Sequence, residues 1–205
     1  MNETGILFVL TAPSGAGKSS VARRVVERVR DLEFSVSYTT RAPRADERDG
    51  RHYHFVDRSR FERMRDDGAF LEWAVVHGNL YGTELAATRR VLASGRDLLL
   101  DIDVEGARQV RCGPIDAVSI MILPPDFSAL ESRLRERGSE DEVERARRLA
   151  RSRGEVEGFA EFSYLVVNQD LETAVDSVRA IVLAERRRTA RCTVEARRIL
   201  ATFPH

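Results

Sequence analysis

Ile6-Leu7-Phe8-Val9-Leu10-Thr11, followed by Ala12-Pro13-Ser14-Gly15-Ala16-Gly17-Lys18-Ser19-Ser20, is an apolar run that passes through a turn of small residues into a helical pattern. The helix presents Val21, Val25, Val26 and Val29 at the spacing of one buried face. A strand, a Gly-rich loop and a helix in this order form the setting a phosphate-cradling loop requires. Successive backbone N–H groups of such a loop make a concave anion nest, and the first turn of the helix adds unpaired donors and the positive end of its dipole. Lys18 suits the β- and γ-phosphates of a nucleotide, and the Ser19 hydroxyl suits Mg²⁺. Lys18 is the only lysine among 33 basic residues, so the one compact ammonium stands where a point charge serves better than a planar fork. The full pattern has Gly four residues before Ala16, where this chain has Ala12; a methyl there is tolerable if the backbone stays extended, as Pro13 encourages.

Working outward, 205 residues suffice for a substantial core. The 33 basic and 33 acidic residues cancel, so no global field draws the chain to nucleic acid or a membrane surface, and any basic site must be local. The N-terminus lacks the charged and apolar pattern of a signal peptide, and no apolar run is long enough to span a bilayer. A cytoplasmic protein is expected, either monomeric or homo-oligomeric. Its two cysteines, Cys112 and Cys192, are expected as free, buried thiols.

Strand-like runs at 6–11, 97–102, 118–123 and 163–167 alternate with helical patterns at 17–30, 103–112, 126–137 and 170–189. That alternation predicts an α/β fold, a parallel sheet covered by helices, with ligands at the carboxyl ends of the strands. Residues 37–88 break the rhythm, and strand-like pieces near 52–56, 69–76 and 79–83 suggest a small, partly antiparallel lobe. Residues 128–157 are dense in Arg and Glu, expected as a pair of solvated helices laced with i,i+4 ion pairs. The expected division is a core of 1–36, 89–127 and 158–205, a lobe of 37–88 and a helical lid of 128–157. The last helix is expected to carry Arg186-Arg187-Arg188.

Within the lobe, Arg41 and Arg44 flank Pro43 and can form a forked clamp for a phosphate dianion, with phenolic donors from Tyr53 and Tyr81. Glu72 lies in the otherwise apolar run Phe70-Leu71-Glu72-Trp73-Ala74, where a carboxylate needs a dedicated partner. Guanine is one such partner, its ring N–H and exocyclic amine matching both carboxylate oxygens; Thr83 and Ser37 can donate to its carbonyl. Strand alternation alone equally allows Glu72 to face solvent. The run Leu98-Leu99-Leu100-Asp101-Ile102-Asp103 ends in two carboxylates: Asp101 suits the metal side of a phosphoryl-transfer site, while Asp103 suits the second substrate, a helix cap, or both. Of the arginines in 128–157, Arg137 and Arg148 are the two singled out as able to neutralise a phosphoryl group in transfer, and Asn168 can touch an adenine.

The phosphate loop, Ser37-x-Thr39-Thr40-Arg41-x-Pro43-Arg44, Gly78-Asn79-x-Tyr81-Gly82-Thr83 and Asp101-Ile102-Asp103, in that order, resemble a guanylate kinase over about residues 6–190. The resemblance implies a P-loop NTPase fold of three layers, α/β/α, in which a core, an inserted GMP-binding lobe and a lid close on ATP and GMP. It implies transfer of the γ-phosphoryl of ATP to GMP or dGMP with Mg²⁺. Arg41, Arg44, Tyr53 and Tyr81 match the GMP-phosphate contacts, Ser37, Glu72, Thr83 and Asp103 the guanine contacts, and Arg137 and Arg148 the lid arginines. Gln169 stands where an Asp commonly follows the Asn, and Leu80 replaces a frequent aromatic.

Two other functions share parts of this pattern. A P-loop kinase acting on a phosphorylated sugar would use the loop and clamp but needs no Glu72/Thr83 base site. A non-catalytic phosphopeptide-binding module would keep the clamp, yet such modules typically lose the loop lysine and lid arginines that this chain retains.

Overall fold

The computed structural model describes residues 4–76, 78–136 and 142–204. Arg137 lies outside this set. Five strands, β1 (Leu7–Thr11), β2 (Leu32–Phe34), β7 (Asp97–Asp101), β8 (Ala117–Leu123) and β9 (Tyr164–Val167), pair in parallel in the order β2-β7-β1-β8-β9. Helices α1 (Lys18–Arg28) and α7 (Leu171–Glu185) supply the apolar residues of one core, in which Phe8, Leu10 and Leu99 meet Val21, Val25, Val175 and Val178. The opposite face is packed by Leu7, Val9, Leu98 and Leu100 against Leu92 of α3 (Leu85–Ala93) and Val110 of α4 (Val104–Arg111). Both faces of the central strands are therefore covered, and this is why β1 and β7 read as unbroken apolar runs. Each large side chain so buried contributes about 1.5–3 kcal/mol of transfer free energy.

A second sheet of four strands has the order β4-β3-β6-β5, built from β3 (Tyr38–Thr39), β4 (His54–Phe55), β5 (Phe70–Val76) and β6 (Asn79–Glu84). Strands β5 and β6 are antiparallel, and their register shifts between Phe70 and Glu72. This irregularity sends two consecutive side chains inward. Leu71 joins the core beneath β7, and Glu72 is buried opposite Thr83. A bulge that re-aims a side chain in this way is a familiar device beside a functional cleft. The helix α2 (Arg58–Asp66), capped by Asp57, leans on this sheet through the fully buried Phe61.

Helices α5 (Phe127–Glu136) and α6 (Glu142–Glu157) form the Arg- and Glu-rich pair, and α6 runs into a short 3-10 turn, Gly158–Glu161. The expected terminal helix is interrupted. Helix α7 closes at Arg186, Arg188 leaves the helical backbone with φ −58° and ψ 136°, and α8 (Thr189–Leu200) follows. Arg186 leaves the helix to bond Asp97 at 2.7 Å and the Arg30 carbonyl at 2.8 Å, so the arginine triplet forms a corner. The thiols also differ from expectation: both are free, but Cys112 is exposed at the end of α4 and Cys192 half-buried in α8. The strands β2 and β3 and the helices α2, α3 and α8 had no separate signal in the periodicity.

Candidate active site

The phosphate loop leaves the carboxyl end of β1, at the centre of the parallel sheet. Gly15 and Gly17 have φ of 93° and 89°, conformations that an L side chain adopts only with strain, and they turn the chain around a contact from Ala16 N–H to the Pro13 carbonyl at 3.1 Å. Ala12 keeps its φ out of that region, so its methyl costs the loop nothing. Asn168, at the end of β9, is 4 % exposed, and its side-chain amide donates to the Ala16 carbonyl at 2.7 Å. A Cβ at Gly17 would lie 2.4 Å from that amide nitrogen. Asn168 thus braces the loop from beneath, while Arg133 of α5 holds the Asn168 carbonyl at 2.8 Å.

Above the loop lies a cavity of about 230 Å³, lined by residues from Ala12 to Ser19, by Asp103, and by Arg148, Arg151 and Glu155 of α6. Glu155 accepts a hydrogen bond from the Ser14 backbone N–H and an ion-pair contact from Arg151 at 2.9 Å, yet partial burial still holds its carboxyl above the ordinary range. Lys18 crosses to the end of β7. Its ammonium lies 2.8 Å from Asp101 Oδ1 and donates to the Ile102 carbonyl at 2.5 Å.

A second cavity, of about 280 Å³, shares Lys18, Ser19 and Asp103 with the first. Ser37, Tyr53, Glu72, Tyr81 and Asp101 also line it. Glu72 is 4 % exposed; the Thr83 hydroxyl donates to its Oε1 at 2.6 Å, and the Thr83 backbone N–H also bonds the carboxylate. Desolvation raises its pKa to about 7, opposed by the Thr83 hydroxyl and by Lys18 and reinforced by Asp103. A buried carboxylate held this way gains most from a ligand that brings two aligned N–H donors. The solvent-facing alternative for Glu72 does not hold, because the bulge turns it inward.

At the rim, Arg41 contacts the Tyr81 hydroxyl at 3.3 Å and sits over the Tyr53 ring, 5.5 Å from its centroid. Its guanidinium pairs with Glu47 at 2.7 Å, and Glu47 also accepts from the Arg44 backbone N–H at 2.8 Å. The Arg41 bond depresses Glu47 to about 2. Glu47 therefore occupies the mouth of the clamp, with Arg44 exposed beside it. Asp103 caps α4, its Oδ1 accepting from Gly106 N–H at 2.8 Å, while Oδ2 faces Arg151 at 3.6 Å.

Residues 5–185 match the family model described as guanylate kinase. The chain belongs to the guanylate kinase family. It is 50% identical over 186 residues to a guanylate kinase of Aromatoleum aromaticum, covering 91% of each chain. It is 48% identical over 199 residues to one of Syntrophotalea carbinolica, covering 97% of this chain and 95% of that one. The crystal structure of guanylate kinase from Anaplasma phagocytophilum superposes with a TM-score of 0.74 at 33% identity, covering 93% and 90% of the two chains. The two cavities adjoin: the phosphate-loop nest lies beside a pocket lined by a buried carboxylate.

Sequence reading overlooked three contributors, Glu47, Arg151 and Glu155. Each lies in a charge-rich stretch where solvated side chains are the rule, and only the fold distinguishes them. Asn168, expected at an adenine, lines neither cavity and bonds the loop at the Ala16 carbonyl. Among the described residues no three His, Cys, Asp or Glu side chains cluster as a metal cage. Ser19 lines both cavities and Asp101 lines the second, a hydroxyl and a carboxylate that fit Mg²⁺ taking its other ligands from phosphates and water. No helix among the described residues is long and apolar enough to cross a membrane.

Proposed function

We propose that the chain transfers the γ-phosphoryl group of ATP to GMP, giving ADP and GDP, and that it accepts dGMP in the same way. The observation that carries this reading is Glu72, a buried carboxylate held by Thr83 that lines the cavity adjoining the phosphate nest. Guanine N1–H and its exocyclic amine are two aligned donors that match a carboxylate. Adenine has no ring N–H there and would leave the carboxylate desolvated and unpaired, a penalty that gives strong discrimination.

The remaining roles follow from charge. The GMP phosphate has a second pKa of about 6, so it is largely dianionic at neutral pH and needs no general base. Mutual repulsion of two polyanions is the obstacle. The loop N–H groups and Lys18 hold the donor, Arg41 and Arg44 with Tyr53 and Tyr81 hold the acceptor phosphate, and Ser37, Thr83 and Asp103 surround the base. Arg148 and Arg137 neutralise the group in flight once the lid closes and excludes water. Ser19 and Asp101 would hold Mg²⁺, which would offset charge on the phosphates. Lys18 leaves Asp101 for the phosphates, and Arg41 exchanges Glu47 for GMP. Asn168 serves ATP by keeping the loop in shape.

The moving parts are the core (1–36, 89–127, 158–205), the GMP lobe (37–88) and the lid (128–157). The setting is the cytoplasm, which agrees with two unpaired cysteines. The test is ADP release by the purified chain with GMP, dGMP, AMP, UMP and ribose phosphates. GMP and dGMP should be used and AMP should not; equal rates with AMP or with a sugar phosphate would overturn the assignment.

A further inference from the structure

We infer that Gly106, on the first turn of α4, is a positioning residue for the base-reading carboxylate, its missing side chain reserving the space that Glu72 Oε2 occupies. A methyl group built at Gly106 would lie 2.7 Å from Glu72 Oε2 and 3.4 Å from its Cδ, with Asp103 Oδ1 also at 3.4 Å. No other heavy atoms lie nearer, so the space is taken by the carboxylate and the cap of α4. Backbone conformation does not demand glycine, since Gly106 is absent from the residues with positive φ and sits within a regular helix. Helix propensity argues against it as well, because alanine is the better helix former. A residue that violates its local preference without local need marks a constraint imposed from elsewhere in the fold.

Three elements fix the carboxylate. The β5 bulge turns Glu72 inward, Thr83 of β6 donates to Oε1 at 2.6 Å, and Gly106 lets Oε2 lie against α4. Because Oε2 is the far end of a side chain, Gly106→Ala does not have to break the fold. The cheaper response is rotation of the carboxyl group, which takes both acceptor oxygens out of the plane where two parallel N–H donors would meet them. The inference rests on the guanine reading of Glu72 and adds the element that sets its geometry.

The experiment is a kinetic double-mutant cycle on the purified full chain, with ATP and GMP varied separately. Gly106→Ala should remain folded by circular dichroism and thermal unfolding. It should lose about 10-fold or more in kcat/KM for GMP, with KM for ATP within about twofold of the parent and the preference for GMP over AMP reduced. In a Glu72→Ala background, where no carboxylate is left to displace, adding Gly106→Ala should change kcat/KM for GMP by less than about twofold. A full GMP affinity in Gly106→Ala, or an equal loss in both backgrounds, would overturn the inference while leaving the base site standing. Undiminished GMP use by Glu72→Ala would overturn the base site itself and the inference with it.

Discussion

The two cavities are built by opposite means. The loop cavity takes most of its lining from one stretch of sequence, Ala12 to Gly15 and Gly17 to Ser19, whose shape is set by two glycines with positive φ and one bracing amide. The second cavity is made of side chains from several separated elements: Ser37 before β3, Glu72 on β5, Tyr81 on β6, and Asp101 and Asp103 at the end of β7. Backbone donors bind phosphate whatever nucleoside carries it. Side chains fixed by tertiary contacts can discriminate between bases. The general part of the reaction therefore lies in one motif, and its selectivity lies in the fold.

The sharpest attack on this contrast is Lys18→Ala. Lys18 borders both cavities and bonds Asp101 and the Ile102 carbonyl, so under the proposed function it serves donor and acceptor alike. Its removal should lower kcat by about 10²–10³-fold or more, the cost of losing a preorganised charge at a transferring phosphoryl group. The circular dichroism spectrum should be unchanged. Turnover within tenfold of the parent, read by ADP release under saturating substrates, would mean that the loop alone supplies catalysis.

The same contrast explains what could be read before the fold was known. The strand, loop and helix of residues 6–30 are legible because their constraints are local: apolar periodicity, glycine where φ is positive, and a helix with one valine face. The parallel core follows from alternation of runs. Glu72 was legible as a residue in need of a partner, but its direction was not, because the bulge at Leu71 defeats alternation. Short strands such as β2 and β3 carry too few residues for a period, and α2 and α3 lie in a stretch read as strands and loops. Glu47 and Glu155 look like ordinary surface carboxylates until the fold brings Glu47 to Arg41 and Glu155 to Ser14. The role of Asn168 depends on two strands meeting at one end of the sheet, which no local pattern encodes.

Glu72→Gln tests the selectivity side. Replacing one acceptor oxygen by a donor should cut kcat/KM for GMP by about 10–100-fold and leave KM for ATP nearly unchanged. The parent should also show a pH limb. Burial raises the carboxyl to about 7 in the ligand-free protein, and guanine requires the anion, so kcat/KM for GMP should climb as pH rises through about 7 and level off above it. Glu72→Gln should lose that limb and keep only the one near about 6 that belongs to the GMP phosphate. Stability should move the other way. A folded-state pKa raised from 4.5 to about 7 means the folded chain holds the proton more tightly, so stability falls as pH rises across that window. At pH 8 the Gln variant should be more stable by up to about 3 kcal/mol in denaturant unfolding, with the gain vanishing toward pH 4.5. A variant less stable at pH 8 would show that Glu72 is held by compensating charges.

The smallest effect is expected at Asp103, where the two kinds of construction meet. Its Oδ1 caps α4 through Gly106 N–H at 2.8 Å, a backbone duty, while the residue borders both cavities and its Oδ2 faces Arg151 at 3.6 Å. Asparagine caps helices about as well as aspartate, whereas alanine forfeits about 1 kcal/mol. Asp103→Asn should therefore unfold at the parent's denaturant midpoint, and Asp103→Ala should unfold earlier. If Oδ2 accepts from the base, both variants should raise KM for GMP about 3–10-fold and spare ATP. An unaltered KM for GMP in Asp103→Asn, alongside a destabilised Asp103→Ala, would reduce the residue to its cap. Recognition of the base would then fall on Glu72, Thr83 and Ser37, and the acceptor cavity would owe its α4 wall to helix geometry alone.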